Sequence, residues 1–502
     1  MIKKRLVPII AALACVLAAG CGTPGKNSTD QESKTVFPVS SHDETLPVSM
    51  GDVMPFYDDG VMNIYHLQNS RGTLSLFYHP ISRLTTTDFV NYTDCGVALD
   101  FEENSQSPDA ALGTGSFIKD KEGNFHCFYT GHNDNGQEEG LKFNEVIRHA
   151  KSVDNQETWV KDEDFNLYGY ENDFRDPYVY YDAEEDIYNM LVTTRDYGVG
   201  VIKRYSSASL DASWEEWQDR GVFFRNDDGS YNMECPSYVE YNGYRYLAYS
   251  EQGENRVTHY RYKTEKNGEW KKFERDSIDA SGFYAGRLEK AGDKLYAFAW
   301  CANLSAGSTG DFDWGGNLVT HEIKQSSNGE LCAVMVGSVK DAFSNRVKYE
   351  YISGGEIKEA TFGSNFSARC AEKLATNVTR INFTFSVGDF GGDCGLTFGL
   401  DSKYDNRLGT AAVAFDTAES RLVCYNKISS VVRYGEPLAS VAFAYSAGRI
   451  YNVDIIIEGE ILTVYLDDTV CLTARFPDMQ RRCFAFYSNG CTAEFKGITF
   501  YE

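Results

Sequence analysis

The sequence contains 13 cysteines but no Cys-x-x-Cys pair, and its eight histidines show none of the spacings typical of zinc sites. Several cysteines lie inside apolar runs, namely Cys127, Cys301, Cys424, Cys471 and Cys483. A free cysteine in such a run behaves as a small buried hydrophobe. We therefore predict neither a disulfide framework nor a metal site, and no cofactor.

Positive charge is also scarce, because 48 Lys and Arg stand against 73 Asp and Glu, which gives a formal net charge of −25. Such a surface repels phosphate backbones and anionic headgroups, which argues against nucleic acid as a partner. Solubility is the simplest consequence of this charge. With only 11 prolines and 44 glycines in 502 residues, low-complexity sequence is excluded.

One apolar run stands at the N-terminus, over residues 6–17, behind a basic head at residues 3–5. The run is too short to span a bilayer. Small residues then precede Cys21, which resembles a bacterial lipoprotein cleavage site. We predict a signal peptide over residues 1–20, a lipid on Cys21 that anchors the protein at the bacterial cell surface, and a flexible tether over residues 21–45. Plain secretion is the alternative.

Aromatic residues are abundant, at 14% of the chain with 33 Tyr and 31 Phe. From about residue 46, short aromatic and β-branched runs alternate with Gly, Asp and Asn turns, and helical periodicity is absent. These residue types favour pleated, half-buried surfaces. The sequence therefore predicts an all-β protein.

A turn followed by an aromatic run recurs five times, with near-regular spacing. The turns lie at Gly60, Gly123, Asp186, Gly243 and Gly292, which are separated by 63, 63, 57 and 49 residues. Such strings occur in any all-β protein, but this period suits a four-stranded sheet with long loops, as in a propeller blade. Five units predict a five-bladed β-propeller over residues 46–340.

The pattern changes after Trp314. Between residues 344 and 502, alternating runs such as 380–386, 451–457 and 461–466 are separated by turns, and the earlier anchor does not recur. Runs of period two are typical of strands that have one face against a core. We predict that residues 344–502 form a second domain, a β-sandwich.

Three carboxylates take similar positions in three of the repeats. Asp52, Asp176 and Glu234 precede their turns by eight, ten and nine residues. In a radial array of sheets the same register means the same radius, so we expect the three acids to meet at the centre. Glycosidic bond cleavage requires one carboxyl group to protonate the leaving oxygen and a second to attack the anomeric carbon or to activate water.

Short motifs around these acids form an ordered set over residues 46–340. They are Asp88-Phe89-Val90-Asn91-Tyr92, Gly113-Thr114-Gly115-Ser116, Tyr129-Thr130-Gly131, Arg175-Asp176-Pro177, Met233-Glu234-Cys235-Pro236, Phe283-Tyr284-Ala285 and Asp313-Trp314-Gly315-Gly316-Asn317-Leu318. The set resembles that of glycoside hydrolase family 32, the β-fructofuranosidases, levanases and inulinases. The resemblance implies a five-bladed propeller followed by a β-sandwich, and hydrolysis of β-fructosidic bonds with retained configuration.

The resemblance also implies roles for the matching residues. Glu234 would be the general acid and base. Asp176, beside Arg175, would bind the fructosyl hydroxyls and stabilise the transition state. The further substrate-binding residues implied are Ser116, Tyr284 and Trp314.

The first motif departs from the family, because its usual Trp and Asn are missing. With one deletion, Asp52 takes the position of the nucleophile. Asp58 and Asp59 are rivals, but they directly precede Gly60, as turn residues commonly do. We favour Asp52, because its register from the turn matches that of the other acids.

We therefore expect a surface-anchored fructosidase in which Asp52 is ionised and Glu234 is protonated, which predicts a bell-shaped pH profile. Its partner would be a fructan or oligosaccharide substrate, without metal or cofactor. Two alternatives stay open. One is a five-bladed hydrolase of another furanoside or pyranoside, such as an arabinan or xylan, and the other is a glycan-binding lipoprotein without turnover.

Overall fold

The computed structural model describes residues 34–39, 48–70, 77–170, 173–226, 231–252, 256–305, 312–388, 391–400, 409–425, 428–430, 433–434, 437–476, 479 and 483–502. Strands dominate these ranges, which confirms the all-β class. The helical elements are a 3-10 turn at Trp214–Glu216 and the helix α1 at Gly337–Ala342. No helix in the described ranges is long and apolar enough to cross a membrane. The predicted signal peptide and Cys21 lie outside these ranges.

The first nineteen strands form five antiparallel units. The first unit contains β1 (Val48–Asp58), β2 (Val61–Ser70), β3 (Ile81–Thr86) and β4 (Thr93–Leu99). The second contains β5 (Ala111–Lys119), β6 (Phe125–His132), β7 (Glu145–Ser152) and β8 (Val160–Leu167). The third contains β9 (Phe174–Asp182), β10 (Ile187–Asp196), β11 (Val199–Ser207) and β12 (Gln218–Arg225).

The last two units follow the same plan. The fourth contains β13 (Met233–Tyr241), β14 (Tyr244–Glu251) and β15 (Thr258–Lys263), and isolated bridges at Lys271 and Ser277 extend its outer edge. The fifth contains β16 (Tyr284–Ala291), β17 (Lys294–Leu304), β18 (Phe312–Gln325) and β19 (Leu331–Val334). Each unit is one blade.

The innermost strands close a ring. Strand β1 contacts β5 and β16, β9 contacts β5 and β13, and β13 contacts β16. A single pairing of Met50 with Gly316 also joins β1 to β18, so the first and fifth blades share one sheet. The ring confirms the predicted five-bladed propeller.

Burial within the blades explains their sequences. In β17 the run from Leu295 to Cys301 is buried throughout and carries no charge, as expected for a strand covered on both faces by neighbouring sheets. The outer strand β4 instead alternates between exposed and half-buried residues. Hydrophobic burial between blades therefore follows strand position within each blade.

Two further sheets form the second domain. The first sheet contains β20 (Arg346–Val347), β21 (Ala360–Phe362), β23 (Val378–Val387), β30 (Tyr451–Glu458), β31 (Ile461–Leu466), β32 (Val470–Arg475) and β34 (Ala493–Tyr501). The second sheet contains β22 (Ser367–Ala371), β24 (Asp393–Leu400), β25 (Ala411–Asp416), β26 (Arg421–Tyr425), β29 (Pro437–Ala442) and β33 (Cys483–Asn489). A small hairpin pairs β27 (Ile428–Ser430) with β28 (Arg433–Tyr434).

Aromatic side chains from both sheets fill the space between them. Phe385 of the first sheet stacks on Phe415 of the second, with ring centroids 4.1 Å apart. Phe383 meets Phe486 edge to face at 5.6 Å. This packing of inner faces confirms the predicted β-sandwich.

A buried polar cluster joins the propeller to the sandwich. Asp279 precedes β16, His321 lies on β18, and Tyr465, Cys471 and Thr473 lie on the sandwich strands β31 and β32. His321 Nε2 is 3.0 Å from Asp279 Oδ2, and the Thr473 backbone N–H donates to Asp279 Oδ1 at 2.9 Å. The ring nitrogen His321 Nδ1 is 3.0 Å from the Tyr465 hydroxyl.

Part of the predicted tether is attached to the folded body. Residues 34–39 are described, and Val36 and Phe37 are buried within the propeller core. Their backbone N–H groups both donate to the carboxylate of Glu458, at 2.7 and 3.0 Å. The sequence of residues 21–45 does not show this contact, because the acceptor for the backbone N–H groups is Glu458, which is more than 400 residues away in the chain. Within the predicted flexible tether of residues 21–45, residues 34–39 are therefore part of the folded body.

Candidate active site

Every innermost strand carries a β-bulge near its start. The pairing register shifts between Gly51 and Met54 in β1, Gly113 and Gly115 in β5, Arg175 and Tyr178 in β9, Glu234 and Ser237 in β13, and Tyr284 and Arg287 in β16. A bulge bends its strand and redirects side chains. Because all five bulges lie at the start of a strand in one ring, they surround one end of the propeller channel.

The backbone at these bulges shows which residues are equivalent. The first bulge residue of four blades has a positive φ: Asp52 (33°), Asp176 (57°), Cys235 (53°) and Ala285 (55°). Each lies six residues before the end of its strand. Positive φ is costly for a side chain with a Cβ, and such backbone strain clusters at functional sites.

These equivalent bulge positions correct part of the prediction that the three acids share one register. Asp52 and Asp176 do hold the same position, but Glu234 lies one residue earlier than its equivalent, Cys235. A longer turn explains the ten-residue spacing of Asp176, but the β1–β2 and β13–β14 turns are equally long, so the nine-residue spacing of Glu234, against eight for Asp52, is a real shift by one position. The β9–β10 hairpin has four loop residues, whereas β13–β14 has two.

Asp52 is held by residues from two other blades. Thr114 Oγ1 donates to its Oδ2 at 2.6 Å, and Trp300 Nε1 donates to its Oδ1 at 3.1 Å. Burial raises the pKa of Asp52, the two hydrogen bonds oppose that rise, and the Glu234 carboxylate adds to it. The carboxylate is therefore oriented through both of its oxygens.

The rival aspartates lie at the other end of β1. Lys119 Nζ donates to Asp58 at 2.9 Å, and Asp59 is an exposed turn residue. Six residues of extended strand separate Asp58 from Asp52, which is about 20 Å. Neither rival reaches the bulge end of the channel.

Asp176 is buried between blades. The Cys235 backbone N–H donates to its Oδ2 at 2.9 Å, and its own backbone N–H donates to Thr130 Oγ1 at 3.0 Å. Burial raises the pKa of Asp176 to about 7; the Arg175 guanidinium opposes the rise, and nearby carboxylates add to it.

Glu234 accepts hydrogen bonds from two of the predicted site residues. Arg175 Nη2 donates to its Oε1 at 2.8 Å, and the Tyr284 hydroxyl donates to its Oε2. Arg175 Nη1 also donates to Asp173 Oδ1 at 2.9 Å, and the same nitrogen lies 3.4 Å from Glu145 Oε2. Two carboxylates thus hold Nη1 of the guanidinium, and Nη2 faces Glu234.

Two tryptophans form a wall beside Asp52. Trp300, only 1% exposed, lies 5.5 Å from the Tyr284 ring and 5.9 Å from Trp314, between ring centroids. Trp314 lies directly over Gly51, where an added Cβ would come within 2.2 Å of the indole. Glycine at this position therefore permits the close approach that brings the predicted Trp314 to the site.

Ser116 has a different role from the one predicted. It is buried, and its Oγ accepts a hydrogen bond from the Val179 backbone N–H at 2.9 Å. Ser237 accepts from Leu288 N–H in the same way at 3.0 Å, so both serines link neighbouring innermost strands. The residue of the motif that reaches Asp52 is Thr114.

Sequence reasoning missed Thr114, Trp300 and Arg287. Thr114 lies inside the motif Gly113-Thr114-Gly115-Ser116, two residues before Ser116, so the alternation of side chains along a strand could have indicated it. Trp300 lies in an apolar run that is typical of a buried core. Arg287 is 1% exposed, and none of its three guanidinium nitrogens has a hydrogen-bond partner among the described residues. It lies 5.7 Å from the Tyr178 ring centroid and lowers the pKa of Asp52.

Metal-type ligands cluster elsewhere. Within the described ranges the two groups with suitable atoms are Asp279, His321 and Cys471, and Asp120, His126 and Asp211. Neither group includes a residue of the site around Asp52, Asp176 and Glu234. The chemistry available here is that of three converging carboxyl groups with an arginine and aromatic walls.

Comparison with known proteins gives a consistent picture. Residues 54–328 match the family described as the glycosyl hydrolases family 32 N-terminal domain. Sequence comparison with curated proteins finds no match.

Solved structures share the whole fold. A family 32 β-fructofuranosidase from Bombyx mori has a TM-score of 0.68 at 16% identity, with 94% of each chain covered. A fructofuranosidase from Schwanniomyces occidentalis, complexed with fructosylnystose, has a TM-score of 0.65 at 16% identity and covers 90% of this chain and 95% of its own. An exo-inulinase from Aspergillus awamori has a TM-score of 0.66 at 15% identity, with the same two coverages of 90% and 95%. At these identities the likeness shows the fold.

Proposed function

Because the chain belongs to glycoside hydrolase family 32, we propose that it cleaves β-fructosidic bonds in fructans, fructo-oligosaccharides or sucrose and retains the anomeric configuration. The observation that carries the proposal is the convergence of Asp52, Asp176 and Glu234 at one end of the propeller channel. Each acid comes from a different blade, and each is held by a defined set of partners.

In the first step Asp52 attacks the anomeric carbon of the fructosyl unit. A bond forms between a carboxylate oxygen and that carbon while the bond to the leaving oxygen breaks, and Glu234 transfers its proton to the leaving oxygen. Thr114 and Trp300 hold the attacking carboxylate in one orientation. Ordering the nucleophile before the reaction reduces the entropic cost of the transition state.

In the second step water hydrolyses the fructosyl ester. Glu234, now ionised, accepts a proton from the water, whose oxygen attacks the anomeric carbon, and the Asp52 carboxylate leaves. Arg175 and Tyr284 keep Glu234 in place through both steps. Asp176, with one oxygen held by Cys235 N–H, offers its other oxygen to the fructosyl hydroxyls.

We include the lipid anchor at Cys21 in the proposal, with the catalytic body at the bacterial cell surface. Full-length protein is expressed in bacterial cells, and the membrane fraction is assayed on sucrose, inulin, levan, arabinan and xylan. The expected result is fructose release by the membrane fraction, with the β-anomer formed first in a time-resolved NMR assay. Sugar release from arabinan or xylan only, or fructan binding without released sugar, would instead favour one of the two alternative functions.

The buried Arg287 is expected to shift the acidic limb of the pH profile. Asp52 must be ionised to attack, and the positive charge of Arg287 lowers the pKa that burial raises. In the Arg287→Gln variant that pKa rises further, so the acidic limb of kcat/KM moves to higher pH. Profiles of the parent, this variant and Arg287→Lys, which retains the charge, provide the test. Acidic limbs that coincide for the parent and the Gln variant contradict the prediction.

A further inference from the structure

A surface cavity lies on the third blade of the propeller. Its volume is about 410 Å³, and the exposed side chains of Tyr170, Tyr197 and Val222 line it. This size is within the range of about 300–1,000 Å³ typical of ligand sites. The sandwich strand β32 contacts β17 and β19 of the fifth blade, so this cavity is separate from the junction of the two domains.

Exposed tyrosines are concentrated at this cavity. Tyr197 is 98% exposed, Tyr170 is 80% exposed and Tyr231 is 54% exposed. Tyr231 borders the cavity because its ring lies against Arg195, whose guanidinium carbon is 3.5 Å from the ring centroid. Single exposed apolar residues are ordinary on a protein surface, but a group of them around one concavity indicates a binding surface.

The conformation of Tyr197 favours a role in binding over a role in folding. Tyr197 and Gly198 form the two-residue turn between β10 and β11, with φ of 53° and 80°. A turn with positive φ at both positions prefers Asn-Gly, because a bulky side chain is strained there. The Tyr197 ring is almost fully exposed, so burial within the protein does not compensate for this strain.

The lining of the cavity suits a neutral ligand, because each of its charged side chains is paired with an opposite charge. The pairs are Arg195 with Asp173 at 3.3 Å, Lys203 with Asp219 at 2.6 Å, and Asp196 with Arg225. The tyrosine rings offer apolar faces for the C–H groups of a sugar ring, and their hydroxyl groups can donate and accept hydrogen bonds. These are the properties that a neutral polysaccharide requires.

Strand β9 connects this cavity with the active site. Phe174, which lines the cavity, directly precedes Arg175 in the strand. Asp173 pairs with Arg195 at the cavity and also accepts a hydrogen bond from Arg175, whose other terminal nitrogen donates to Glu234. A sugar chain bound at the cavity is therefore at the same end of the propeller as the catalytic acids.

We propose that this cavity is a second polysaccharide-binding site, separate from the catalytic pocket, at which Tyr170, Tyr197 and Tyr231 hold a fructan chain while it is cleaved. The identity of the polymer as a fructan rests on the proposed function. Two contacts with one polymer raise its overall affinity without any change in the reaction itself. Sucrose is a disaccharide and occupies the catalytic pocket alone, so the second site favours long fructans over sucrose.

The test removes the most exposed ring and keeps the turn that carries it. Tyr197→Asn introduces a residue that this turn prefers, so the variant is expected to fold at least as well as the parent. Tyr181→Asn removes a less exposed tyrosine at the other end of β9 and is the matched control. Affinity electrophoresis measures the Kd for polymeric inulin and levan in the Asp52→Asn background, so that turnover does not consume the polymer.

In Tyr197→Asn the Kd for the polymers is expected to rise about 10-fold, which is below the largest gain that a second contact can provide. With Asp52 intact, the ratio of kcat/KM for inulin to kcat/KM for sucrose should fall by the same factor, and Tyr181→Asn should keep the parent values. Tyr170→Ala is expected to act in the same direction.

Unchanged polymer binding in both cavity variants overturns the inference, as does an equal loss of kcat/KM on inulin and on sucrose. A parent protein that releases no fructose from any substrate refutes the proposed function instead. The electrophoresis requires no turnover, so it reports on the second site separately and the two failures are distinguishable.

Discussion

The Asp52→Asn variant is expected to lose about 10⁴-fold or more in kcat on sucrose and fructans. An amide is not a nucleophile toward the anomeric carbon, so no fructosyl ester forms. The loss in kcat should therefore be at least as large as the greatest loss caused by removal of a general acid or base, which is about 10⁴-fold. The substitution keeps the size and shape of the side chain. Thr114 and Trp300 therefore stay in place, and the thermal melt should change little.

Glu234→Ala separates the two carboxylate roles. On natural substrates its kcat is expected to fall about 10²- to 10⁴-fold, because the leaving oxygen receives no proton. On an aryl fructoside whose leaving group is already acidic, this variant should recover much of the activity, whereas Asp52→Asn should stay inactive. Asp58→Asn, at the far end of β1, is the matched control and should behave as the parent. Near-native turnover of either catalytic variant on sucrose would refute the assignment.

The Asp279→Ala variant is expected to lose about 3–5 kcal/mol of unfolding free energy. Asp279 is fully buried where the propeller meets the sandwich, and it accepts the Thr473 N–H and pairs with His321. Its removal leaves a buried imidazole and a buried N–H without their partner, which is costlier than the loss of one average hydrogen bond. Denaturant unfolding at pH 7 measures the difference, and the exposed Asp341→Ala should change stability by less than about 0.5 kcal/mol.

The effect of Asp279 should also depend on pH. Burial alone would raise its pKa, but the interactions with His321, together with hydrogen bonds from Thr473 and Ala280, outweigh burial and hold the pKa below its ordinary value of 3.8. The pKa of Asp279 is lower in the folded than in the unfolded protein. Its contribution to the free energy of unfolding is therefore fully present above the unfolded pKa and is lost as the pH falls through the folded pKa. The difference between parent and variant should therefore shrink in acid below about pH 4. A difference that is small at pH 7 would show that the cluster does not hold the two domains together.

The fold was largely predictable because its signals are local. The turns at Gly60, Gly123 and Gly243 each join two neighbouring strands, so their spacing reports blades directly in the sequence. The strands of the sandwich were equally visible, since alternation along β23 follows from one buried face. The acids of the site were found through short motifs and their approximate distance from a turn, although Glu234 lies one residue before the position equivalent to Asp52 and Asp176.

Arg175 and Tyr284, which hold Glu234, were among the predicted site residues, but the sequence analysis did not find the partners of Asp52. Thr114 is 62 residues from Asp52 and Trp300 is 248 residues away, and both reach it only because five blades close into a ring. The same closure, with its bulges, explains why Ser116 braces two strands while Thr114 faces the site.

The sequence by itself determined the blade number, the strand alternation and the carboxyl groups, because those properties depend on residues that are near one another in the chain. Only the tertiary structure decided that Thr114 and Trp300 hold Asp52 and that Asp279 joins the domains. Contacts between distant segments depend on where the closed ring and the second domain place them, and local patterns carry no information about that placement.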